Sequence, residues 1–212
     1  LTDPSDPEDV RQTQLLTLDE LDRMGVLVND LILLAKSAQS DFITPTDTDI
    51  AELTDLVFDK SLALGERRWQ LESVAFARAM IDPTRITQAW LQLVANAVKY
   101  SEQGSMVRLG SAVRDKHLLM WVGDEGIGIP PEEIDVVRQR FKRTASAQER
   151  ASGTGLGLNI VETIVAAHGG QLDIRSQVGE GSVFTMRFPL VPVPGAEVSP
   201  EPGATDPHTH KE

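Results

Sequence analysis

The stretch that decides the fold reads LLMWVGDEGIG and covers residues 118–128. Its apolar residues alternate at Leu118, Met120 and Val122, which is the period of a β-strand with one buried face. Asp124 continues that parity at the end of the strand, so its carboxylate is predicted to point into the core. A buried carboxylate needs a hydrogen-bond donor, and none is evident nearby in the sequence. Two roles stay open: an aspartate that caps the following glycine turn, or one that accepts from a ligand donor such as an exocyclic amine.

The elements around this strand favour an α/β fold. A short polar turn joins it to a neighbouring strand predicted over 106–113. The other predicted elements are strands around 71–76, over 171–176 and over 183–190, and helices over 50–64, from Pro83, over 131–139 and over 155–167. Asp49 and Asp82 are predicted to cap the first two of these helices. Because strand follows strand, we predict a two-layer α/β sandwich, a mixed sheet with helices on one face, rather than a doubly wound sheet.

Composition excludes several functional classes. The chain has 212 residues, of which 41% are hydrophobic and 25% charged, as expected for a soluble protein with a real core. Its net charge of −12 disfavours binding to nucleic acid or to an anionic membrane surface. The absence of cysteine excludes disulfide scaffolds, thiol nucleophiles and cysteine-ligated metals. No apolar run approaches the roughly 18 residues that suggest a membrane span.

The chain is predicted to have three parts. Residues 1–45 contain a long helix over 13–40, residues 46–190 form the α/β domain, and residues 191–212 form a disordered, acidic, proline-rich tail. We place a hinge at 44–47, where Thr-Pro-Thr-Asp interrupts the helical pattern. Apolar residues follow a heptad seam on the long helix, at Leu21, Met24, Val28, Leu31, Ala35 and Ala38. Further apolar residues widen that surface, so the helix belongs either to a helical bundle or to the core of the main domain.

The glycine-rich run over 153–158, Gly-Thr-Gly-Leu-Gly-Leu, directly precedes a predicted helix. Free backbone N–H groups and the helix dipole make such a start suitable for an anion, and glycine lets a phosphate approach the backbone. The preceding polar stretch offers Lys142, Arg143 or Arg150 as further contacts. The spacing and the lack of a preceding strand exclude the dinucleotide-binding fingerprint. The alternatives are a tight turn and a solvated loop.

The helix that begins at Pro83 combines an apolar face with a polar one. Its predicted core positions are Ile86, Ala89, Trp90, Leu93, Val94 and Ala97. Gln92, Asn96 and Lys99 share the other face because they are three or four residues apart. Asparagine is a poor helix former and needs a partner near apolar residues. A cation held by phosphate oxygens would partner Asn96, and Lys99 would meet a phosphate; the alternative is a surface polar stripe.

Five motifs together resemble, in order and spacing, the N, G1, F, G2 and G3 boxes of sensor histidine kinases. These boxes mark an ATP-binding domain in the superfamily shared with gyrase, Hsp90 and MutL. The motifs are Asn96–Ser101, Asp124–Gly128, Phe141, Gly153–Gly157 and Gly179–Gly181. The resemblance covers about residues 46–190 and implies the Bergerat-type ATP fold. Residues 13–40 resemble the second helix of the family's dimerisation and phosphoacceptor hairpin.

The resemblance implies roles for individual residues. Asp124 would accept from the adenine amino group, Asn96 would ligate Mg²⁺, Lys99 would meet a phosphate, and Tyr100 would lie beside the adenine or ribose. The other implied nucleotide-binding residues are Gly126, Gly128, Arg143, Gly153, Thr154, Gly155, Leu156, Gly157 and Leu158. His168 would end a helix rather than accept a phosphoryl group. Two departures from the family pattern are Gln92 and Arg138, which put a second polar contact and the packing of the F box in doubt.

The resemblance also implies a function. The chain would be the ATP-binding catalytic portion of a protein-histidine kinase that passes the γ-phosphoryl of Mg-ATP to a histidine and then to a response regulator. None of its histidines has the family's phosphoacceptor context, so we expect that this chain binds ATP or ADP without phosphorylating itself. We further expect a homodimeric parent, a cytoplasmic location for this part, and no contact with nucleic acid or membrane. The alternatives are an anti-sigma-factor-type serine kinase, a gyrase- or MutL-type ATPase, and a non-enzymatic nucleotide-binding or dimerisation module.

Overall fold

The strand that carries Asp124 lies at the centre of a five-stranded sheet. The computed structural model describes residues 7–37, 39, 41–138 and 155–190. The strands are β1 (Thr46–Asp49), β2 (Arg68–Ser73), β3 (Arg78–Ile81), β4 (Met106–Arg114), β5 (His117–Asp124), β6 (Gln171–Gln177) and β7 (Gly181–Pro189). The main sheet has the order β2-β4-β5-β7-β6, in which only the β2–β4 pair is parallel. β1 and β3 form a separate antiparallel pair.

Local capping signals set where two of the helices begin. The helices are α1 (Pro7–Lys36), α2 (Ile50–Ser61), α3 (Pro83–Tyr100), α4 (Ile134–Val137) and α5 (Gly157–Ala167), with short 3₁₀ turns at Leu62–Leu64 and Pro131–Glu133. Asp49 accepts hydrogen bonds from the backbone N–H groups of Ala51 and Glu52 at the start of α2. Asp82 does the same for Thr84 and Arg85 at the start of α3. Both predicted N-caps are therefore confirmed.

The core lies between the sheet and helices α2, α3 and α5, as a two-layer sandwich requires. The predicted core positions of α3 are all buried, namely Ile86, Ala89, Trp90, Leu93, Val94 and Ala97. The Trp90 indole also donates a hydrogen bond to the carbonyl of Trp121, which fastens α3 to β5. Leu118, Met120 and Val122 are buried on the inner face of β5, and Asp124 is buried with them. The predicted fold class and strand parity are confirmed.

Several predicted boundaries were wrong. The hinge placed at 44–47 includes residues of β1, which pairs with β3; both strands have only four residues, too few for a periodic signal. The strand predicted around 71–76 lies at 68–73, because its pairing with β4 becomes irregular after Leu71. The helix predicted over 131–139 begins as a 3₁₀ turn and α4 ends at Val137. Residues 139–154 and the predicted tail at 191–212 lie outside the described residues, and the three-part division stays a prediction.

Helix α1 presents two faces to different surroundings. Its heptad residues Leu21, Met24 and Val28 have exposed fractions of 57%, 53% and 53%. Leu33 and Leu34 are instead buried in the domain core, near α5, which α1 contacts. Among the described residues, the heptad seam of α1 is therefore exposed to solvent, and the last turns of α1 attach the helix to the domain. None of the helices in that part is long and apolar enough to cross a membrane.

The segment after α1 is tied to the beginning of α3. The Thr44 N–H donates to Asp82 Oδ2 at 2.9 Å, and the Arg85 guanidinium lies 5.0 Å from the centre of the Phe42 ring. His168, at the end of α5, accepts from the Asp82 N–H through Nε2 at 3.0 Å. Its Nδ1 lies 2.7 Å from the Ile164 carbonyl, to which it donates in this tautomer. The beginning of α3 and the end of α5 are therefore joined, and His168 lies at the helix-ending position predicted for it.

Candidate functional site

Asp124 is the buried acid of the site. Its side chain is 5% exposed at the end of β5, and its Oδ1 accepts from the Gly126 N–H at 2.8 Å. Burial raises the pKa of this carboxyl to about 6, although backbone hydrogen bonds from Gly126 and Ser182 and the charge of Arg108 act in the opposite direction. The sequence-based statement that no local donor exists was wrong, because the turn brings an N–H group back to the carboxylate. Asp124 therefore caps that turn. It can still accept a hydrogen bond from a ligand donor, which is the second role considered for it.

The loop after Asp124 requires glycine because backbone approaches it from two sides. A Cβ atom on Gly126 would lie 2.4 Å from the Tyr100 carbonyl oxygen. Gly128 has φ +69°, and a Cβ there would lie 2.0 Å from the Gln177 carbonyl oxygen. The Ile127 N–H also donates to the Tyr100 carbonyl at 3.2 Å. The structure thus brings the G1 glycines and the end of α3 together.

The last turns of α3 supply a cation and an amide to the same region. Asn96, Lys99 and Tyr100 are all half-buried, and the Lys99 ammonium lies 5.0 Å from the centre of the Tyr100 ring. Arg67, which sequence reasoning missed, fixes this end of the helix by donating to the carbonyls of Val98 and Ser101. No local signal reveals Arg67, because it lies about thirty positions before the carbonyls that it contacts.

The beginning of α5 lies against α3. Gly157 is its first residue, and a Cβ atom there would lie 2.2 Å from Gln92 Nε2. The polar face of α3 is therefore adjacent to the start of α5, where backbone N–H groups favour an anion. The side chain of Leu156 is fully buried and that of Leu158 packs against the core, so these two residues would meet a ligand only through their backbone.

Arg138 replaces aromatic packing with an ion pair. Its guanidinium lies 2.8 Å from Glu162 on α5 and donates to the Leu172 carbonyl on β6. The Asn159 amide in turn donates to the Arg138 carbonyl. Burial raises the pKa of Glu162, while the Arg138 charge and hydrogen bond lower it. Arg138 itself is thus accommodated by polar contacts; Phe141 lies outside the described residues, and the packing of the F box stays untested.

The donor set fits a nucleotide with a bound magnesium ion. Within the described ranges, no group of three or more His, Cys, Asp or Glu side chains is placed to hold a metal. Magnesium keeps several waters and is commonly held by phosphate oxygens with one or two protein ligands. A single amide oxygen from Asn96 is compatible with that arrangement. A buried acceptor, a glycine-lined loop, a cation and a helix start together suit a purine nucleotide polyphosphate.

A family model described as histidine kinase-, DNA gyrase B-, and HSP90-like ATPase matches residues 81–192, more than half of the chain. The chain belongs to this ATPase family. The sensor-like histidine kinase SenX3 of Mycobacterium bovis is 32% identical over 196 residues, which cover 90% of this chain and 48% of SenX3. The sensor histidine kinase WalK of Bacillus subtilis is 34% identical over 187 residues, 82% of this chain and 30% of WalK. The chain thus spans about half or less of these relatives.

A solved structure shares the fold of this histidine kinase-like ATPase. Full-length ShkA in complex with AMPPNP superposes with a TM-score of 0.69 at 27% identity, covering 86% of this chain and 39% of ShkA. The resemblance inferred from the five boxes is therefore confirmed. The chain carries the ATP-binding domain found in sensor histidine kinases.

Most of the site residues predicted for this ATPase domain lie within the described ranges. Those are Asn96, Lys99, Tyr100, Asp124, Gly126, Gly128, Gly155, Leu156, Gly157 and Leu158, whereas Arg143, Gly153 and Thr154 lie outside the described residues. Contacts join Tyr100 to the G1 glycines, and Gln92 to Gly157. The ligand roles of all these residues stay predictions. Sequence reasoning missed Ser176 and Ser182, which contact the G1 loop and Asp124 from the opposite side.

Proposed function

We propose that this chain binds Mg-ATP and donates its γ-phosphoryl group to a histidine outside the chain, from which a response regulator receives it. The observation that carries the proposal is the buried carboxylate of Asp124, placed beside the G1 glycines and the end of α3 in a domain of this ATPase family. Chemical catalysis by protein residues is limited in such transfers, which depend mainly on positioning and electrostatic stabilisation.

Asp124 would select the base. An ionised carboxylate accepts a hydrogen bond from the exocyclic amine of adenine, whereas guanine presents a carbonyl oxygen at the same position of the ring. Two acceptors facing each other in a buried pocket are unfavourable, so guanine is rejected. The Gly126 N–H already holds Oδ1, and this contact orients the carboxylate toward the pocket before the ligand arrives.

The helices would hold the polyphosphate. The first N–H groups of α5 carry partial positive charge and would bind phosphate oxygens. The Lys99 ammonium would neutralise a further phosphate charge. Magnesium would polarise the transferred phosphoryl group when bound, with the Asn96 amide oxygen as its protein ligand. The role of Gln92 follows from its contact with Gly157, which sets the separation of α3 from α5 in this region.

The exposed seam of α1 supports a dimeric parent. Leu21, Met24 and Val28 face away from the domain core at heptad spacing, which is the pattern of a helix that packs in a bundle. We propose that a second copy of the parent covers this seam. We also propose a cytoplasmic location for this part, where ATP and a response regulator are both available.

The test is a calorimetric titration of the intact protein with ATP and Mg²⁺. Asp124→Asn is expected to weaken ATP binding by about thirtyfold or more, because it removes a charged acceptor and places an NH₂ group or a weaker acceptor against the base. Asp115→Asn is the matched control, since Asp115 lies at the opposite end of β5 in a turn with φ +49°, which asparagine also tolerates. Absence of ATP binding by the unmodified protein would overturn the proposal.

The identity of the acceptor can be tested with γ-labelled ATP. The chain alone is expected to retain no label after removal of free nucleotide, because none of its histidines has a phosphoacceptor context. Acid treatment distinguishes the possible acceptors, since a phosphohistidine is acid-labile and a phosphoserine is acid-stable. Acid-stable label on this chain or on an added protein would contradict a histidine kinase and indicate a serine kinase.

A further inference from the structure

The hydroxyl of Ser176 joins three parts of the molecule. Ser176 lies on β6 just before the turn to β7, and its Oγ accepts from the Ile129 N–H at 2.7 Å. The same oxygen donates to the Gly181 carbonyl at 3.0 Å and lies 2.9 Å from Ser182 Oγ. A hydroxyl has one donor and two acceptor positions. All three are in use when the Ser182 hydroxyl donates to Ser176, so the group is fully committed to this junction.

The backbone of the β6–β7 turn contacts the G1 loop directly. The Gly179 N–H donates to the Ile127 carbonyl at 2.9 Å. Gly128 approaches the Gln177 carbonyl so closely that a Cβ atom would lie 2.0 Å from its oxygen. Gly181, with φ +104°, leaves the same 2.0 Å between a Cβ atom and the carbonyl oxygen of Asp124. The backbones of the G1 loop and of the β6–β7 turn are therefore in direct contact, so a shift of one segment requires a shift of the other.

The turn also contacts the carboxylate of the site. Ser182 pairs with Asp124 across β7 and β5, and its backbone hydrogen bond opposes the upward shift in the pKa of Asp124. The turn thus contacts Asp124 at its main chain through Gly181 and at its side chain through Ser182. No residue of the turn needs to touch a nucleotide to influence how the base is bound.

We propose that Ser176 is a positioning residue of the nucleotide site. Its hydroxyl holds the loop from Gly126 to Ile129 against the β6–β7 turn, and this contact fixes the direction in which the Asp124 carboxylate points. The inference rests on the proposed function, because it concerns the base-binding end of that site. It assigns a role in base recognition to a side chain whose hydrogen bonds are all to other residues of the protein.

Removing the hydroxyl should loosen the loop more than the domain. In Ser176→Ala, the Ile129 N–H and the Gly181 carbonyl lose their partner, while the rest of the sheet keeps its register. Ser176→Thr keeps the hydroxyl and adds a methyl group that a strand position accommodates. Ser61→Ala is the control, because the Ser61 hydroxyl likewise donates to a backbone carbonyl, that of Val57 within α2; Ser61 is buried whereas Ser176 is half-buried.

The experiment measures the dissociation constants of ATP and GTP, the thermal midpoint, and amide hydrogen exchange without nucleotide. Ser176→Ala is expected to weaken ATP binding about tenfold, to reduce the preference for ATP over GTP, and to accelerate exchange at Ile127 and Ile129. Ser176→Thr is expected to restore all three, and Ser61→Ala to change only the thermal midpoint. If Ser176→Ala does not fold, Ser176→Cys provides the same comparison with a weakly hydrogen-bonding group.

The possible outcomes separate the two proposals. A lower thermal midpoint in Ser176→Ala, with unchanged ATP affinity and unchanged base preference, would show a structural role and overturn the inference alone. Failure of the unmodified protein to bind ATP would overturn the proposed function, and the role of Ser176 with it. Faster exchange at Ile129 together with loss of base preference would support the inference.

Discussion

Two regions of the molecule each bury an aspartate, and the two carboxylates have different surroundings. At the beginning of α3, Asp82 is 8% exposed and accepts from three backbone N–H groups, those of Thr84, Arg85 and Thr44. At the end of β5, Asp124 is 5% exposed, and its oxygens receive hydrogen bonds from Gly126 and Ser182. Desolvation dominates there and raises the pKa of Asp124 to about 6.

The comparison separates a carboxylate that is well supplied with protein donors from one that is less well supplied. Three donors from two points of the chain surround Asp82, and they join the segment around Thr44 to the beginning of α3. At Asp124 burial outweighs the hydrogen bonds that the carboxylate receives, so a further donor from a ligand would lower the free energy of the charged form. Equal burial therefore does not imply equal function, and the supply of protein donors distinguishes the two residues.

The largest effect that would sharpen this contrast is the pH dependence of ATP binding. The ionised carboxylate is a stronger acceptor for the adenine amine than the protonated group, so affinity should fall, by up to about tenfold per pH unit, as the pH decreases below about 6, the pKa of Asp124. Calorimetric titrations between pH 5 and 8 (buffer values, about one unit apart) would measure this. In Asp124→Asn the pH dependence should disappear; if it persists, another group controls binding.

Ionisation of Asp124 should have the opposite effect on stability: it should favour ATP binding but lower the free energy of unfolding. The folded-state pKa of Asp124 lies above the ordinary value of 3.8, so its contribution to stability is fully present below about pH 3.8 and is lost as the pH rises through about 6. The difference in unfolding free energy between the unmodified protein and Asp124→Asn isolates this contribution from other titrating groups. A difference that does not vary between pH 4 and 7 would contradict it.

A smaller effect concerns the structural acid. Asp82→Ala is expected to lower the free energy of unfolding by about 2 kcal/mol, because the N-cap of α3 and the partner of the Thr44 N–H are both lost. ATP affinity should change by less than about threefold, since Asp82 is at the opposite end of α3 from Asn96 and Lys99. Urea unfolding and calorimetry would measure the two quantities. Loss of ATP binding without loss of stability would break the contrast between the two acids.

The smallest expected effect is that of His168→Ala. The substitution leaves the Asp82 N–H without its acceptor at the end of α5 and should cost about 1 kcal/mol of stability. Unfolding curves of this variant and of Asp82→Ala would show whether the two losses overlap, as expected for neighbours in one network. ATP binding should be retained. A variant that loses nucleotide binding instead would indicate that the junction of α3 and α5 controls the site.

Sequence patterns predicted those features whose causes are local. The caps at Asp49 and Asp82 depend on residues two or three positions away, and the buried face of α3 depends on a regular helical period. The parity of β5 placed Asp124 in the core for the same reason. These predictions were confirmed because no distant part of the chain was needed to make them.

Features that depend on distant contacts were missed or misplaced. β1 and β3 have only four residues each and exist through their pairing with each other. The contacts of Ser176 with Ile129 and of Arg67 with Val98 join residues far apart along the chain. The Gly126 donor to Asp124 is close in sequence, yet it depends on the turn geometry rather than on a residue type. Non-local pairing and turn geometry therefore set the limit of the sequence analysis.

The two faces of α1 have a mechanical consequence. Leu33 and Leu34 are buried in the domain core, whereas Leu21 and Met24 are exposed to solvent. The helix can therefore pack against its own domain on one face and against a partner on the other. Successive residues of an α-helix are about 100° apart around its axis, since a turn contains about 3.6 residues. If the heptad seam is paired, rotation of α1 about its axis would remove apolar side chains either from the domain core or from the paired seam. A helix packed on both faces in this way would transmit rotation about its axis from one end to the other.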